Sequence, residues 1–423
     1  MMMLKKFIFG LLVCNGLYWN AVASPLHIMS TDDLLSLTEK NSQSITQARL
    51  DELVAQRQID IARAPYFPIL NAEVIDSVGF PGSSGWIGEE GLVGSPFRSG
   101  IAGGLVAQQL ILDFGRTAAD IRASQSQVEV SRQTTRVTTY EAKVFALQAF
   151  YQCAKFKKQR DSWAYLAKES GIINKEAKRF VETGQRSIVD NYLSESQTQE
   201  ALTAHAYLEK RVEGSIKELV IITGIKIPFD CPSLSDKLID SLNSASRVEI
   251  SPYVMRAMAG VQVAQEKLKR EQADLMPKII AVASAGGMAK THLVKKENYS
   301  VGLGFIMPIF DFNISSRVHR ARAEVIAKQQ DISTQKQFIN ETNAKLDQVI
   351  IASAAKIQHL NTELKIAREG FKVAKRRYFQ LEGDLVDLRE AWRNLARTET
   401  TIEDARSDWL QASGVKALLN GGA

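Results

Sequence analysis

LILDFGRTAADIRAS (Leu110 to Ser124) and MPIFDFNISSRVHRARA (Met307 to Ala323) decide how this chain folds. Each runs from apolar residues through an Asp-Phe pair into a stretch of Ala, Arg and polar residues, the pattern of a strand handing over to a helix. A shift of 198 residues lays Gly104-Leu105 on Gly302-Leu303, Ile111 on Ile309 and Asp113-Phe114 on Asp311-Phe312. Upstream, a shift of 209 lays Ala48 on Ala257, Ala55-Gln56 on Ala264-Gln265, Pro68 on Pro277 and Ala72 on Ala281. Ala and Gln are common in helices, so isolated matches would mean little. The same order of different element types around both sets makes a duplication the better reading. Each half reads helix, strand, loop, strand, Asp-Phe turn, long helix, return helix.

Downstream of each junction proline disappears. All ten prolines fall at 25, 65, 68, 81, 96, 228, 232, 252, 277 and 308, which leaves 97–227 and 309–423 without one. Because proline breaks helix interiors, these 131- and 115-residue stretches predict long helices. Val137, Tyr140, Val144, Leu147, Tyr151 and Ala154 step 3, 4, 3, 4, 3, and Leu360, Leu364, Ala367, Phe371, Ala374, Tyr378 and Leu381 continue the same rhythm. One such stripe would suit any amphipathic helix, but uninterrupted helix from Phe114 to Thr183 would extend about 105 Å, several times the width of a small domain.

Before each junction the period changes to two. Leu70, Ala72, Val74, Val78 and Phe80 alternate with Asn71, Glu73, Ser77 and Gly79, and Val301, Leu303, Phe305 and Met307 alternate with small residues. Ile101 to Gln109 and Ile279 to Met288 are the natural partners, giving two hairpins. The first has a Gly-, Pro- and Ser-rich loop from Pro81 to Phe97, with Trp86 in it, and the second a basic loop around Lys290, Lys295 and Lys296. Four strands cannot close a barrel, and open edges cannot face lipid, so a membrane role requires several copies. Two copies give eight strands, a barrel filled by its own side chains; three give twelve and leave a lumen.

Lys5 and Lys6, the apolar stretch Phe7 to Val13 and the small residues Ala21-Val22-Ala23 read as a cleaved export signal over 1–23. A membrane anchor would need a longer apolar run, and lipid attachment at Cys14 a smaller residue than Val13 before it. The repeats then occupy 24–230 and 231–423. Loss of Lys5 and Lys6 leaves 51 basic against 47 acidic residues, a net charge of +4 that gives no reason to invoke nucleic acid. Cys153 and Cys231 remain; spacing alone does not establish a bridge, and two buried free thiols are the simpler expectation.

The two junctions quoted above resemble those of TolC-family outer-membrane proteins. RFVETGQRSIVDNYLSE (Arg179 to Glu195) and RRYFQLEGDLVDLREA (Arg376 to Ala391) resemble that family's two turns at the periplasmic tip. The resemblance covers the whole mature chain. It implies a mainly α fold of duplicated coiled-coil hairpins whose four β-strands join a trimeric twelve-stranded barrel in the outer membrane. It also implies an α-helical tunnel into the periplasm, and an exit duct fed by a periplasmic adaptor and an ABC or proton-driven inner-membrane transporter. Such a duct serves type I protein secretion or small-molecule efflux, and YFQLEGDLVDL looks closer to the secretion branch. The second tip departs from the family in one respect: Gly383 lies five residues beyond Tyr378, so contacts that lock the tip do not carry over directly.

On the same resemblance, Asp387 and Glu390, one helical turn apart, match the acidic rings that narrow the pore and favour cations. Gly184 and Gly383 suit tip turns needing positive φ or a tight reversal. Gln185 and Asp384 sit beside them as adaptor-contact candidates, and Tyr378, Arg186 and Asp190 are candidates for links that hold the tip closed. Asp113 and Asp311 stand where helix N-caps are needed, a structural role. His27, His205, His292, His319 and His359 are scattered, and no phosphate-binding loop, dinucleotide fingerprint or nucleophile elbow occurs. The expectation is a protein with no catalytic residue, cofactor or metal. The competing reading is a soluble periplasmic coiled-coil scaffold without a barrel.

Overall fold

The computed structural model describes residues 30–77, 100–224, 230–232, 251–289 and 295–420. The expected signal at 1–23, the 81–97 loop with Trp86, and Lys290 lie outside the described residues. The first repeat comprises α1 (Thr31–Asn41), α2 (Gln43–Arg63), β1 (Ile69–Ser77), β2 (Gly100–Leu112), α3 (Arg116–Glu182) and α4 (Ile188–Thr223). The second comprises α5 (Pro252–Ala273), β3 (Lys278–Ala289), β4 (Lys295–Ile306), α6 (Phe312–Phe379) and α7 (Leu385–Leu419). The sequence offsets reappear in the backbone pairing. Ile69 faces Gln108 in the first hairpin, and adding 209 and 198 gives Lys278 and Ile306, which face each other in the second.

The strands form one antiparallel sheet in the order β1-β2-β3-β4, with the outer edges of β1 and β4 unpaired among the described residues. Register puts Leu70, Ala72, Val74, Leu105, Ala107, Ala283, Val301, Leu303 and Phe305 on one face. Val74, Val301 and Leu303 are each about three-quarters exposed or more, which no water-facing sheet would favour. The opposite face carries Asn71, Glu73, Gln108, Ser284, Ser300 and Gly302, and the two serine hydroxyls hydrogen-bond at 2.7 Å. None of the described helices is long and apolar enough to cross a membrane.

Helix α3 has 67 residues and α6 has 68, so each runs about 100 Å. Both heptad seams point inward: Val137, Leu147, Tyr151 and Ala154 are buried, as are Leu360, Ala367, Phe371 and Tyr378. The second seam ends earlier than its spacing predicts, because α6 stops at Phe379 and Leu381 lies in the turn, 43% exposed. One core cluster gathers Leu147, Phe150, Tyr151, Leu219, Cys231 and Leu410 near the middle of the long helices. Another gathers Ile173, Phe180, Phe371, Tyr378, Leu388 and Trp392 toward the tips.

The two junctions are built differently. Asp311 caps α6, its Oδ1 accepting from the Asn313 N–H at 2.8 Å. At the first junction Phe114 (φ 52°) and Gly115 (φ 95°) are both left-handed, and Gly115 holds the cap position. Asp113 caps from two residues further back, accepting from the Gly115 N–H at 3.2 Å and the Thr117 N–H at 2.6 Å. Nearby, Arg116 of α3 and Arg317 of α6 both bond to Asp274 at the end of α5, and Arg317 also reaches Glu271 at 2.7 Å.

The expectation of two free thiols is corrected. Cys153 of α3 and Cys231 form a disulfide, with Cα atoms 5.5 Å apart across 78 residues of sequence. Both are buried, and Lys157 Nζ donates to the Asp230 carboxylate at 2.5 Å and to the Cys231 carbonyl at 2.9 Å. The pairing comes from helix packing: α4 returns alongside α3 and delivers the connector beside Cys153, a proximity that linear spacing does not encode.

Candidate functional site at the helical tips

The turns between α3 and α4 and between α6 and α7 share one backbone. In the first, the Gln185 N–H reaches back to the Phe180 carbonyl at 2.8 Å; in the second, the Glu382 N–H reaches the Arg377 carbonyl at 2.9 Å. An offset of 197 relates them, and that pairs Gly184 with Leu381, Arg186 with Gly383, Ser187 with Asp384 and Asp190 with Asp387. Ser187 and Asp384 both N-cap the return helix, accepting from the Val189 N–H at 3.3 Å and the Asp387 N–H at 2.8 Å.

The glycines therefore serve different ends. Gly184 has φ +71°, the left-handed residue that closes a helix C-terminus. At the second tip that place belongs to Leu381, at φ +63°. Gly383 has no positive φ; a Cβ there would sit tightly, 3.2 Å from the Arg377 Cβ, yet the equivalent position of the first tip holds Arg186.

Three side chains singled out in the sequence converge between the tips. The Arg186 guanidinium hydrogen-bonds the Gly383 carbonyl and sits over the Tyr378 ring, 5.3 Å from its centroid. The Tyr378 hydroxyl donates to Asp190 Oδ2 at 3.2 Å. Tyr378 is wholly buried, with the Phe180 ring edge-on at 5.9 Å. Burial first, then the Asp190 carboxylate, push its hydroxyl pKa above the ordinary value of 10. Sequence reading missed a neighbouring link, the Lys375–Glu169 pair at 2.5 Å, because nothing in the spacing couples positions 206 residues apart.

Asp387 and Glu390 stand apart from this cluster. Both are exposed on the first turns of α7, and neither side chain has a hydrogen bond or ion pair among the described residues. The duplicated tip does not reproduce them: Asp190 is engaged by Tyr378, and Leu193 occupies the place of Glu390. Gln185 and Asp384 are also exposed, at the outermost ends of the two turns. Among the described residues no group of three or more His, Cys, Asp or Glu could hold a metal ion.

Comparison with known proteins gives these features a family. The model for outer membrane efflux proteins matches residues 34–220 and 248–419. No curated protein sequence matches the chain. Among solved structures, a membrane protein from Pseudomonas aeruginosa superposes with a TM-score of 0.78 at 17% identity, covering 94% of this chain and 91% of that one. The outer membrane protein VceC of Vibrio cholerae gives 0.73 at 14%, covering 93% and 97%. The open-state MtrE outer membrane channel of Neisseria gonorrhoeae gives 0.68 at 18%, covering 93% and 89%. Two helices of about 100 Å, each turning back into a shorter return helix, a sheet with an apolar outer face and a match across both repeats lead to one assignment: this chain belongs to the outer membrane efflux protein family and forms an outer-membrane exit duct that extends into the periplasm.

Proposed function

We propose that three copies close a twelve-stranded barrel around a shared lumen, and that the duct passes cargo delivered by an inner-membrane transporter through a periplasmic adaptor. The sheet supports this most directly: its apolar face needs lipid, and its two open edges need partners that one chain does not supply. The same apolar face argues against a soluble periplasmic scaffold. Energy comes from the transporter, in type I protein secretion or small-molecule efflux, and the duct itself does no catalysis.

In this reading the tips form the periplasmic entrance. Three copies place six carboxylates from Asp387 and Glu390 around a narrow aqueous opening, where focused fields concentrate cations. Arg186, Tyr378 and Asp190 hold the two hairpins of one chain together, so loosening them widens that opening. The adaptor meets the outer ends of the turns, near Gln185 and Asp384. Photo-crosslinkers at those two positions should capture the adaptor, while one at Ser83, in the sequence between β1 and β2, should not. Equal capture from both ends would overturn the orientation.

A further inference from the structure

We infer that the Cys153–Cys231 bond is made on an unfinished chain in the periplasm, by exchange with the disulfide of another protein, before α7 packs over it. The burial of the two sulfurs sets this order. Cys153 is 0% exposed and Cys231 2%. Both belong to the core cluster that holds Phe150, Tyr151 and Leu219, and two further members of it, Leu410 and Leu418, come from α7 in the second repeat. The same helix lies on α3 beside Cys153, where Asp404 accepts from Lys155 Nζ at 3.4 Å and from Gln159 Nε2 at 3.1 Å. Exchange requires a thiolate to touch a sulfur of the donor disulfide, and a protein donor cannot reach into a close-packed core.

The first repeat brings the two cysteines together without help from the second. Helix α4 packs back along α3. Lys157, one turn beyond Cys153, holds the Asp230 carboxylate at 2.5 Å and the Cys231 carbonyl at 2.9 Å, so charge draws the segment after α4 onto α3. All of these groups lie within 153–231. The helix that covers them comes much later, since α7 begins at Leu385, 154 residues beyond Cys231. A chain threaded N-terminus first into the periplasm therefore presents both thiols, and the contacts that align them, before Leu410 and Leu418 arrive.

The chemistry is two successive exchanges. Cys153, which emerges first, loses its proton, and its thiolate attacks one sulfur of the donor; the donor S–S bond breaks, giving a mixed disulfide and one donor thiolate. The Cys231 thiolate then attacks the Cys153 sulfur, the mixed bond breaks, and the second donor thiolate leaves. Two electrons have passed from the cysteines to the donor, whose two sulfurs take up the two protons. Once Cys14 departs with the expected signal, the chain has no third cysteine to mispair. An oxidising donor suffices, and no reshuffling of bonds is required.

The test is pulse labelling in cells, with acid quenching and alkylation of free thiols by a polyethylene-glycol maleimide under denaturing conditions. Cys153→Ser with Cys231→Ser marks the band that alkylation cannot shift. Oxidised chain should appear before chain in the outer-membrane fraction. In cells without periplasmic protein disulfides the chain should stay reduced, and cystine present during the pulse should restore the bond. Cystine added once the chain is in the membrane should act about tenfold more slowly, because the thiols then react only through local opening of the core. Reduced chain that fails to enter the membrane at all would show that closure needs the bond first, and supports the order. Membrane-inserted chain that oxidises as fast as the same chain unfolded in urea overturns the order. Oxidation at the normal rate in donor-free cells without cystine overturns the protein donor.

Discussion

Replacing Leu381 with glycine should tighten the second tip, although it deletes a side chain. Leu381 holds φ +63°, a region that costs an L-residue about 1–2 kcal/mol. At 43% exposure the side chain gives up little burial when removed. Glycine's extra freedom in the unfolded chain takes back about 0.5–1 kcal/mol, leaving a net gain of about 0.5–1 kcal/mol. The readout is hydrogen exchange at Glu382 and Gly383, whose N–H groups both bond to the Arg377 carbonyl. Exchange there should slow about two- to fivefold. Leu381→Ala keeps the strained backbone while removing the same contacts, so it should show no such slowing. Gly184→Ala at the first tip, where the backbone is the same, should lose about 1–2 kcal/mol locally. If Leu381→Gly exchanges as fast as wild type, or faster, then strain at this turn does not govern its stability.

Neutralising Asp387 and Glu390 together, to Ala or to Asn and Gln, should lower cation preference and weaken block by divalent cations in single-channel recordings; unchanged selectivity in an intact trimer would remove both from the pore. Arg186→Ala frees the Gly383 carbonyl and the Tyr378 ring face, and should raise the open-channel conductance; conductance equal to wild type would refute a closing role. The Tyr378 hydroxyl is held neutral by burial, so the unfolded state ionises first. Its contribution to stability is complete below pH 10 and is lost as the pH climbs above that value; Tyr378→Phe should flatten this alkaline decline of the thermal midpoint. Cys153→Ser with Cys231→Ser should cost about 2–4 kcal/mol, read as a lower unfolding midpoint, since the bond closes a long loop.

The long helices were legible because proline excludes itself from helix interiors, and 97–227 and 309–423 lack it. Strands β1 and β4 were legible from alternation and β2 and β3 as their natural partners, and the offsets carried over to the observed hairpin registers. The second tip misled for a physical reason. Leu381 continues the 4, 3, 4, 3 spacing of the seam and so looks like core, yet it is the turn residue, in a conformation that favours glycine. Gly383 draws the alignment toward itself, although it lies two residues past the left-handed position and has no positive φ. The Arg186–Gly383 link and the Cys153–Cys231 bond join residues 197 and 78 positions apart, and only the packed hairpins show that they meet.

The disulfide also makes the two hairpins mechanically unequal. With Cys153 joined to Cys231, the lower part of α3, its tip turn and all of α4 form a closed covalent ring. A protease that nicks the chain between Glu182 and Ile188 would leave two fragments still tethered, separable only under reducing conditions. Helix α4 is thus tied covalently to α3 through the segment that follows it. The α6/α7 hairpin has no such covalent fastening among the described residues; ion pairs, Arg368–Glu399 and Lys416–Asp347, join its two helices instead.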